Sequence, residues 1–218
     1  CPRSTRASAS CASKGSEMRL ACLDMEGVLV PEIWINVAEH TGVEELRRTT
    51  RDEPDYDKLM RYRIGVMAEH GVTLSLIQSV ISAMGPLPGA VEFLDALRRD
   101  YQVVILSDTF YQFGMPLMEH LGMPTLFCHD LVIDNDMIVG YRLRQPDSKT
   151  EAVRALQSIN FTCIATGDSY NDTGMLAQAD AGILFRPPAN VIEEFPQFPV
   201  AVDYAQLRAE FDAAAARF

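Results

Sequence analysis

The chain has 218 residues, with 30 acidic against 19 basic side chains and a formal net charge of −11. That balance, with no basic stripe along the chain, argues against a nucleic-acid footprint, and no apolar run approaches the length needed to span a bilayer. At 48% hydrophobic and 22% charged residues there is ample material for a full core, in one domain or one domain with an insertion. The five cysteines, Cys1, Cys11, Cys22, Cys128 and Cys163, are odd in number and lack metal-ligand spacing. Cys22 and Cys163 lie in apolar runs and read as small buried hydrophobes, so a reducing, cytoplasmic setting is expected.

Residues 1–17 are rich in Ser, Ala and basic side chains and have no hydrophobic region, which argues against a secretory signal. The segment reads as a disordered leader with Met18 as a candidate start; a transit peptide, which shares this composition, is the alternative. Leu20 to Leu23 then forms a short apolar run of the kind a buried strand uses. It stops abruptly at Asp24-Met25-Glu26-Gly27. Two residues apart, Asp24 and Glu26 share one face if the extended geometry persists, at the strand's carboxyl end, where open α/β sheets place ligands. Carboxylates ~4 Å apart repel by about 4 kcal/mol at an effective dielectric near 20. Such a pair needs a cation, a shared proton, or separation by the turn that Gly27 permits.

Pro31 suits a first helical position, Trp34, Val37 and Ala38 follow at helical spacing, and Gly42 ends the run. A second helix is predicted over Asp55 to His70, with Tyr56, Leu59, Met60, Ile64 and Met67 as its apolar stripe. Arg63 interrupts that stripe; it either meets an anionic partner or snorkels from the edge. Leu74, Ile77, Ile81 and Met84 form a third stripe, so 31–85 reads as a helical insertion closed by Gly85-Pro86-Leu87-Pro88-Gly89.

Beyond it, helix and strand alternate. A helix over Val91 to Arg99 precedes a strand over Gln102 to Leu106 that ends at Ser107-Asp108-Thr109. A helix over Phe110 to Leu121 follows, closed by Gly122. A hairpin over Thr125 to Arg144 turns at Asp134-Asn135-Asp136, and a helix over Ser148 to Ile159 has Ser148 as its candidate N-cap. A strand over Thr162 to Thr166 runs into Gly167-Asp168-Ser169-Tyr170-Asn171-Asp172. A helix over 171–179, a strand over 181–185 and a helix near 204–217 complete the chain. The pattern predicts an α/β fold: a Rossmann-like, doubly wound parallel sheet core (18–30 and 86–218) with a small helical cap (31–85) inserted after the first strand.

Three strand ends therefore converge on one sheet edge, carrying Asp24/Glu26, Ser107-Asp108-Thr109 and Asp168…Asp172. Asp24 and Asp168 offer the hard oxygens magnesium prefers. Ser107 can hydrogen-bond a phosphate. Lys149 opens a helix whose dipole favours anions at that end, so a purely structural lysine is less expected there.

Asp-x-Glu-Gly after a strand, then Ser, Lys and Gly-Asp-x-x-x-Asp in that order, resembles the haloacid dehalogenase-like phosphohydrolases. The insertion after the first motif, with the stretches CLDMEGVLVPEIW, VVILSDTFY, GDSYND and VIEEFPQFP, is similar to the phosphoserine phosphatase branch over nearly all of 18–218. The resemblance implies a magnesium-dependent enzyme acting on O-phospho-L-serine through an aspartyl phosphate, with water or homoserine as acceptor. It implies Asp24 as nucleophile and Glu26 as acid and base, with Ser107 and Lys149 holding the phosphoryl group. It assigns the metal to Asp24, the carbonyl of Glu26 and Asp168, supported by Asp172, and the amino-acid part to Glu32 and Arg63. Asp108, Thr109 and Asn171 are further candidates for substrate contact. Glu26 replaces the family's usual aspartate, Val28 its usual threonine, and Asp108 stands where glycine is frequent. A phospho-acceptor signalling module shares the acids, magnesium and lysine, but needs neither a helical cap nor a second acid beside its phospho-acceptor. The sequence leaves homodimer formation open.

Overall fold

The computed structural model describes residues 18–50, 52–53 and 55–218, so the leader expected over 1–17 lies outside the described residues. In chain order the elements are β1 (Arg19–Leu23), α1 (Ile33–Thr41), a 3-10 turn (Glu44–Arg47), α2 (Tyr56–His70), α3 (Leu74–Ala83), α4 (Ala90–Leu97), β2 (Gln102–Phe110) and α5 (Tyr111–His120). They continue through β3 (Thr125–Asp134), β4 (Met137–Arg142), α6 (Ser148–Ser158), β5 (Thr162–Gly167), a 3-10 turn (Tyr170–Asp172) and α7 (Thr173–Gln178). The chain ends in β6 (Ala181–Phe185), α8 (Ala189–Glu194), β7 (Val200–Ala201) and α9 (Tyr204–Ala215).

The strands form one seven-stranded sheet in the order β4-β3-β2-β1-β5-β6-β7. All neighbours are parallel except the β3–β4 hairpin at one edge. That hairpin turns on Asn135 and Asp136, both left-handed (φ 47° and 65°), the backbone a two-residue primed turn demands. Strand alternation splits the buried side chains between two cores. Ala21, Leu23, Ile105 and Ile164 face one layer with Phe93, Phe113 and Phe211. Leu20, Cys22, Val104, Cys163 and Ala165 face the other, with Val153, Met175 and Val191. Both faces are therefore covered, as a doubly wound parallel sheet requires, and the predicted α/β class holds. The chain runs from β1 outward to β2 and β3, then returns to β5 on the other side of β1. The crevice above β1 is the topological switch point.

Helices α1 to α3 are inserted between β1 and β2 and lean on the sheet. The Leu74 N–H donates to the Asp136 carbonyl at 2.8 Å, and the Gln78 side chain to the Gln112 carbonyl at 2.9 Å. Gly42 ends α1 as its position in the sequence predicts, and Gly71 ends α2 in the same left-handed conformation.

Several boundaries differ from expectation. Pro31 precedes the helix rather than opening it, because Glu32 takes the N-cap position and Ile33 is the first helical residue. Strand β2 continues past Leu106 to Phe110, with a register shift against β3, since Ser107 and Thr109 are buried despite their polarity. Ser148 is not the N-cap: Asp147 (φ 47°) occupies that place, and the Ser148 hydroxyl is turned to Asp108. Helix α8 and strand β7 are short pieces among prolines, too brief to leave a periodic signal.

Helix α9 seals one core. Phe211 is fully buried there against Phe93 and Tyr101, and its carbonyl accepts from the Tyr101 hydroxyl at 3.1 Å. Phe211→Ala should cost about 3–5 kcal/mol, read as a lowered denaturant midpoint at unchanged m-value. A loss below about 1 kcal/mol would place α9 outside the cooperative core.

Candidate active site

The switch point opens into a cavity of about 910 Å³ that joins the carboxyl ends of β1, β2 and β5 to the helical insertion. Asp24 follows β1 directly and is buried; its Oδ1 accepts from the Met25 N–H at 2.7 Å and from Lys149 Nζ at 2.8 Å. No hydrogen bond from a described residue reaches Oδ2. From β5, Asp168 and Asp172 join it, and one oxygen of each of the three acids lies within 4.8 Å of the others. Asp172 is fully buried and fully engaged. Its Oδ2 accepts from the N–H groups of Asp168 and Ser169 and from the Ser169 hydroxyl, and its Oδ1 accepts from Lys149 at 2.7 Å.

Two glycines make this proximity feasible. A Cβ on Gly27, whose φ is +75°, would meet the Asp168 carboxyl at 2.5 Å, and one on Gly167 would meet Asp172 at 2.3 Å. Gly27 turns the chain so that its N–H reaches the Val30 carbonyl at 2.8 Å. Glu26 thereby leaves the Asp24 carboxylate and points to the insertion, where its Oε2 accepts from the Ile33 N–H at 2.8 Å, the first amide of α1. The Asp24/Glu26 repulsion feared from spacing alone is resolved by that turn. Burial and the nearby Glu32 push Glu26 up to about 7, against the pull of the Ile33 amide, Arg63 and Lys149.

Lys149 resolves the conflict noted in its sequence position. Its ammonium sits among Asp24, Asp172 and, at 3.6 Å, Asp108. Burial works against the charge, but the three carboxylates outweigh it and hold the lysine protonated. Asp108 lies between Lys149 and His129: the His129 Nε2 is 3.7 Å from its Oδ1, and the Ser148 hydroxyl donates to the same oxygen at 3.3 Å. Burial pushes Asp108 up, yet Lys149, His129 and Ser148 more than offset it and hold the carboxyl down at about 2. The Arg144 N–H donates to His129 Nδ1 at 3.0 Å, which leaves the ring proton on Nε2, towards Asp108. Ser107 is buried, and its Oγ accepts from the Thr109 N–H at 3.3 Å.

At the far end of the cavity lie Glu32, Trp34, Tyr56 and Arg63. Arg63 is buried, so it does not snorkel. Its Nη2 donates to the Arg48 carbonyl at 2.6 Å, its guanidinium covers the Trp34 ring at 4.4 Å, and its Nε has no partner. The Tyr56 hydroxyl donates to the Asp108 carbonyl at 2.9 Å, tying the insertion to β2. Asn171 donates to the Thr50 hydroxyl at 3.2 Å across the cavity rim. All the residues expected at the site line this cavity except Asp172, which lies behind Lys149. Sequence reasoning missed His129, a lone histidine in an apolar strand, and took Trp34 only for helix core.

The donor set fits a divalent cation. Asp24, Asp168 and Asp172 present hard oxygens, and with Asp108 they set four acids against one lysine. Burial and the Asp172 charge push the Asp24 carboxyl up, an excess of negative charge that a bound cation relieves.

A buried acid triad with a lysine at the switch point of such a sheet is a phosphoryl-transfer arrangement, and the model of the haloacid dehalogenase-like hydrolases matches residues 18–180. The chain belongs to that family. It is 59% identical over 92% of its length to the phosphoserine phosphatase ThrH of Pseudomonas aeruginosa, 98% of which is covered. It is 60% identical over 89% of its length to a phosphoserine phosphatase of Pseudomonas syringae pv. tomato, 82% of which is covered. Among solved structures, a phospho-aspartyl intermediate analogue of phosphoserine phosphatase superposes with a TM-score of 0.71 at 19% identity, covering 85% of this chain and 93% of that one. At that identity the likeness concerns the fold. Among the described residues no single helix is long and apolar enough to cross a membrane.

Gly27→Ala should displace the Asp168 carboxyl and weaken divalent-cation binding by about tenfold or more, read by calorimetric titration. Unchanged affinity would mean that Asp168 does not hold the ion.

Proposed function

We propose that the protein is a magnesium-dependent phosphoserine phosphatase that also passes the phosphoryl group to homoserine. The observation that carries this reading is the two-ended cavity. Asp24, Asp168 and Lys149 face one end, and a buried arginine with an unpaired Nε–H stands beside Glu32 at the other. Phosphoserine has a matching outline: a phosphate at one end, an ammonium and a carboxylate at the other. The similarity to curated phosphoserine phosphatases over almost the whole chain agrees with it.

In this reading residues 31–85 act as the cap domain over the core, and Glu32 and Arg63 grip the ammonium and carboxylate. Asp108, Thr109 and Asn171 line the path between the two ends. Asp24 Oδ2 attacks phosphorus, and the bond from phosphorus to the serine oxygen breaks. Glu26, partly protonated near neutrality, gives its proton to the departing oxygen. The acceptor hydroxyl then loses its proton to Glu26 and attacks the aspartyl phosphate, whose bond to Asp24 breaks. Ser107 and Lys149 hold the phosphoryl oxygens and offset their charge. Magnesium, held by Asp24, the Glu26 carbonyl and Asp168 with Asp172 in support, would polarise the phosphoryl group and neutralise the crowded acids. The buried, unpaired thiols Cys22, Cys128 and Cys163 suit a reducing cytoplasm.

Asp24→Asn keeps the size and the Met25 hydrogen bond but removes the nucleophile. Turnover of phosphoserine should fall to background while the protein stays folded, and near wild-type turnover would sink the covalent mechanism. The acceptor is settled by product analysis with phosphoserine, magnesium and saturating homoserine. Phosphohomoserine should appear alongside inorganic phosphate; with none, the plain phosphatase stands.

A further inference from the structure

We propose that Trp34 is a positioning residue that fixes the plane of Arg63 and thereby sets a preference for phosphomonoesters that carry a carboxylate. The inference rests on the carboxylate grip assigned to Arg63 above.

Arg63 is 5% exposed, and it forms no ion pair with any described acid, although Glu26 and Glu32 are near enough to feel its charge. A buried guanidinium without a carboxylate is costly unless something holds it for a ligand. Two contacts hold it. The Trp34 ring lies 4.4 Å under the guanidinium carbon, and the Arg48 carbonyl accepts from Nη2 at 2.6 Å. Stacking on an indole defines a plane, and the carbonyl fixes rotation within it. Nε is left with no partner, and Nη1 has only the Met60 sulfur at 3.9 Å. The Arg48 carbonyl takes one N–H of Nη2, so a planar, two-point contact with a carboxylate would use the second N–H of Nη2 together with Nε or Nη1, whichever edge the carbonyl leaves open.

The shelf itself is anchored. Trp34 meets Phe113 edge-on at 5.5 Å, and Phe113 meets Phe110 edge-on at 5.7 Å, where β2 ends just beyond Ser107 and Asp108. Trp34 also follows Ile33, whose N–H holds Glu26. The plane of Arg63 is thereby referenced to the catalytic loop and not merely to the insertion. A pre-set plane spares the ordering cost a free arginine would incur on binding.

Trp34 is the only tryptophan in the chain, so its emission reports on this shelf. In the non-turning Asp24→Asn protein, O-phospho-L-serine should change that emission, and O-phosphoethanolamine, which lacks the carboxylate, should not. Adding Arg63→Met should abolish the difference between the two ligands. In the active enzyme, Trp34→Leu should raise KM for phosphoserine about tenfold with kcat within about twofold, and affect phosphoethanolamine hydrolysis several-fold less. Trp34→Phe, which keeps a ring face, should recover most of the preference. In an Arg63→Met background Trp34→Leu should add no further loss of preference. Equal losses on both substrates, additive losses, or emission blind to the carboxylate would each overturn the inference, and the emission arm needs no Trp34 variant to fold. If Arg63→Met leaves the preference intact, the carboxylate grip itself fails and the inference falls with it. If Arg63→Met abolishes the preference and Trp34→Leu does not, the grip stands and only the role of Trp34 is lost.

Discussion

The structure depends above all on how it keeps four carboxylates and one ammonium at the end of a buried sheet. Asp24, Asp108 and Asp172 all converge on Lys149, with Asp168 beside them. Removing any of these charges from water costs several kcal/mol after relaxation, so the cluster is tolerable only if each group is held and hydrogen-bonded. Asp172 shows how that is done. It is fully buried, and four donors reach its two oxygens, three of them from the Asp168–Ser169 turn that it also shapes. Its rigidity fixes Lys149, and Lys149 fixes one oxygen of Asp24 so that the other faces the cavity. The rigid sheet is a prerequisite, since β1 and β5 in register bring Asp24 and Asp168 together without any local sequence contact.

The second dependence is between that cluster and the helical insertion. The turn after Asp24 is so short that the loop following β1 and α1 are nearly continuous: Asp24, Glu26, Ile33 and Trp34 fall within eleven residues. Glu26 uses its longer side chain to satisfy the first amide of α1, an orphan donor that Glu32, the residue at the N-cap position, leaves unbonded. A negative group at that helix end is also favoured by the dipole. Tyr56 reaches back from α2 to the Asp108 carbonyl, and Asn171 reaches Thr50. Any shift of the insertion is therefore felt by Glu26 and Asp108 together.

Much of this was legible in the chain. The apolar run ending in Asp24, the polar ends of β2 and β5, and their alternation with helices located the switch point, because parallel strands must all present their carboxyl ends on one edge. Arg63 in an apolar stripe and Lys149 at a helix start each broke a local rule, and both line the cavity. What stayed hidden is tertiary. His129 sits in β3 with no motif around it, and its role depends on β3 lying beside β2. Trp34 at helical spacing is indistinguishable from core until the fold brings Arg63 of α2 over its ring. Ser148 looked like a cap because its type suits one, and only the fold shows that Asp108 claims its hydroxyl. Strand β2 outran its apolar segment because burial there comes from a site, not from side-chain hydrophobicity.

If Glu26 is the base of the proposed reaction, its standing in place of the family's usual aspartate would give the choice of acceptor a structural basis. Water is abundant, so transfer to another hydroxyl needs that hydroxyl held beside the phosphoryl group, where effective molarities of ~10⁵–10⁸ M can exceed any solvent concentration. Holding requires a grip on the acceptor's far end and a base that reaches its near end. Homoserine is one methylene longer than serine, so a fixed Arg63 and Glu32 would carry its hydroxyl deeper towards phosphorus. Glu26, tethered to the Ile33 amide, is turned from Asp24 towards the insertion, the side on which an amino-acid acceptor would lie in the proposed reaction. An aspartate, one methylene shorter, could not span from the loop to that amide without moving the loop. In the proposed reaction the extra methylene would therefore couple three things: the helix cap, the position of the base, and the space left for the acceptor.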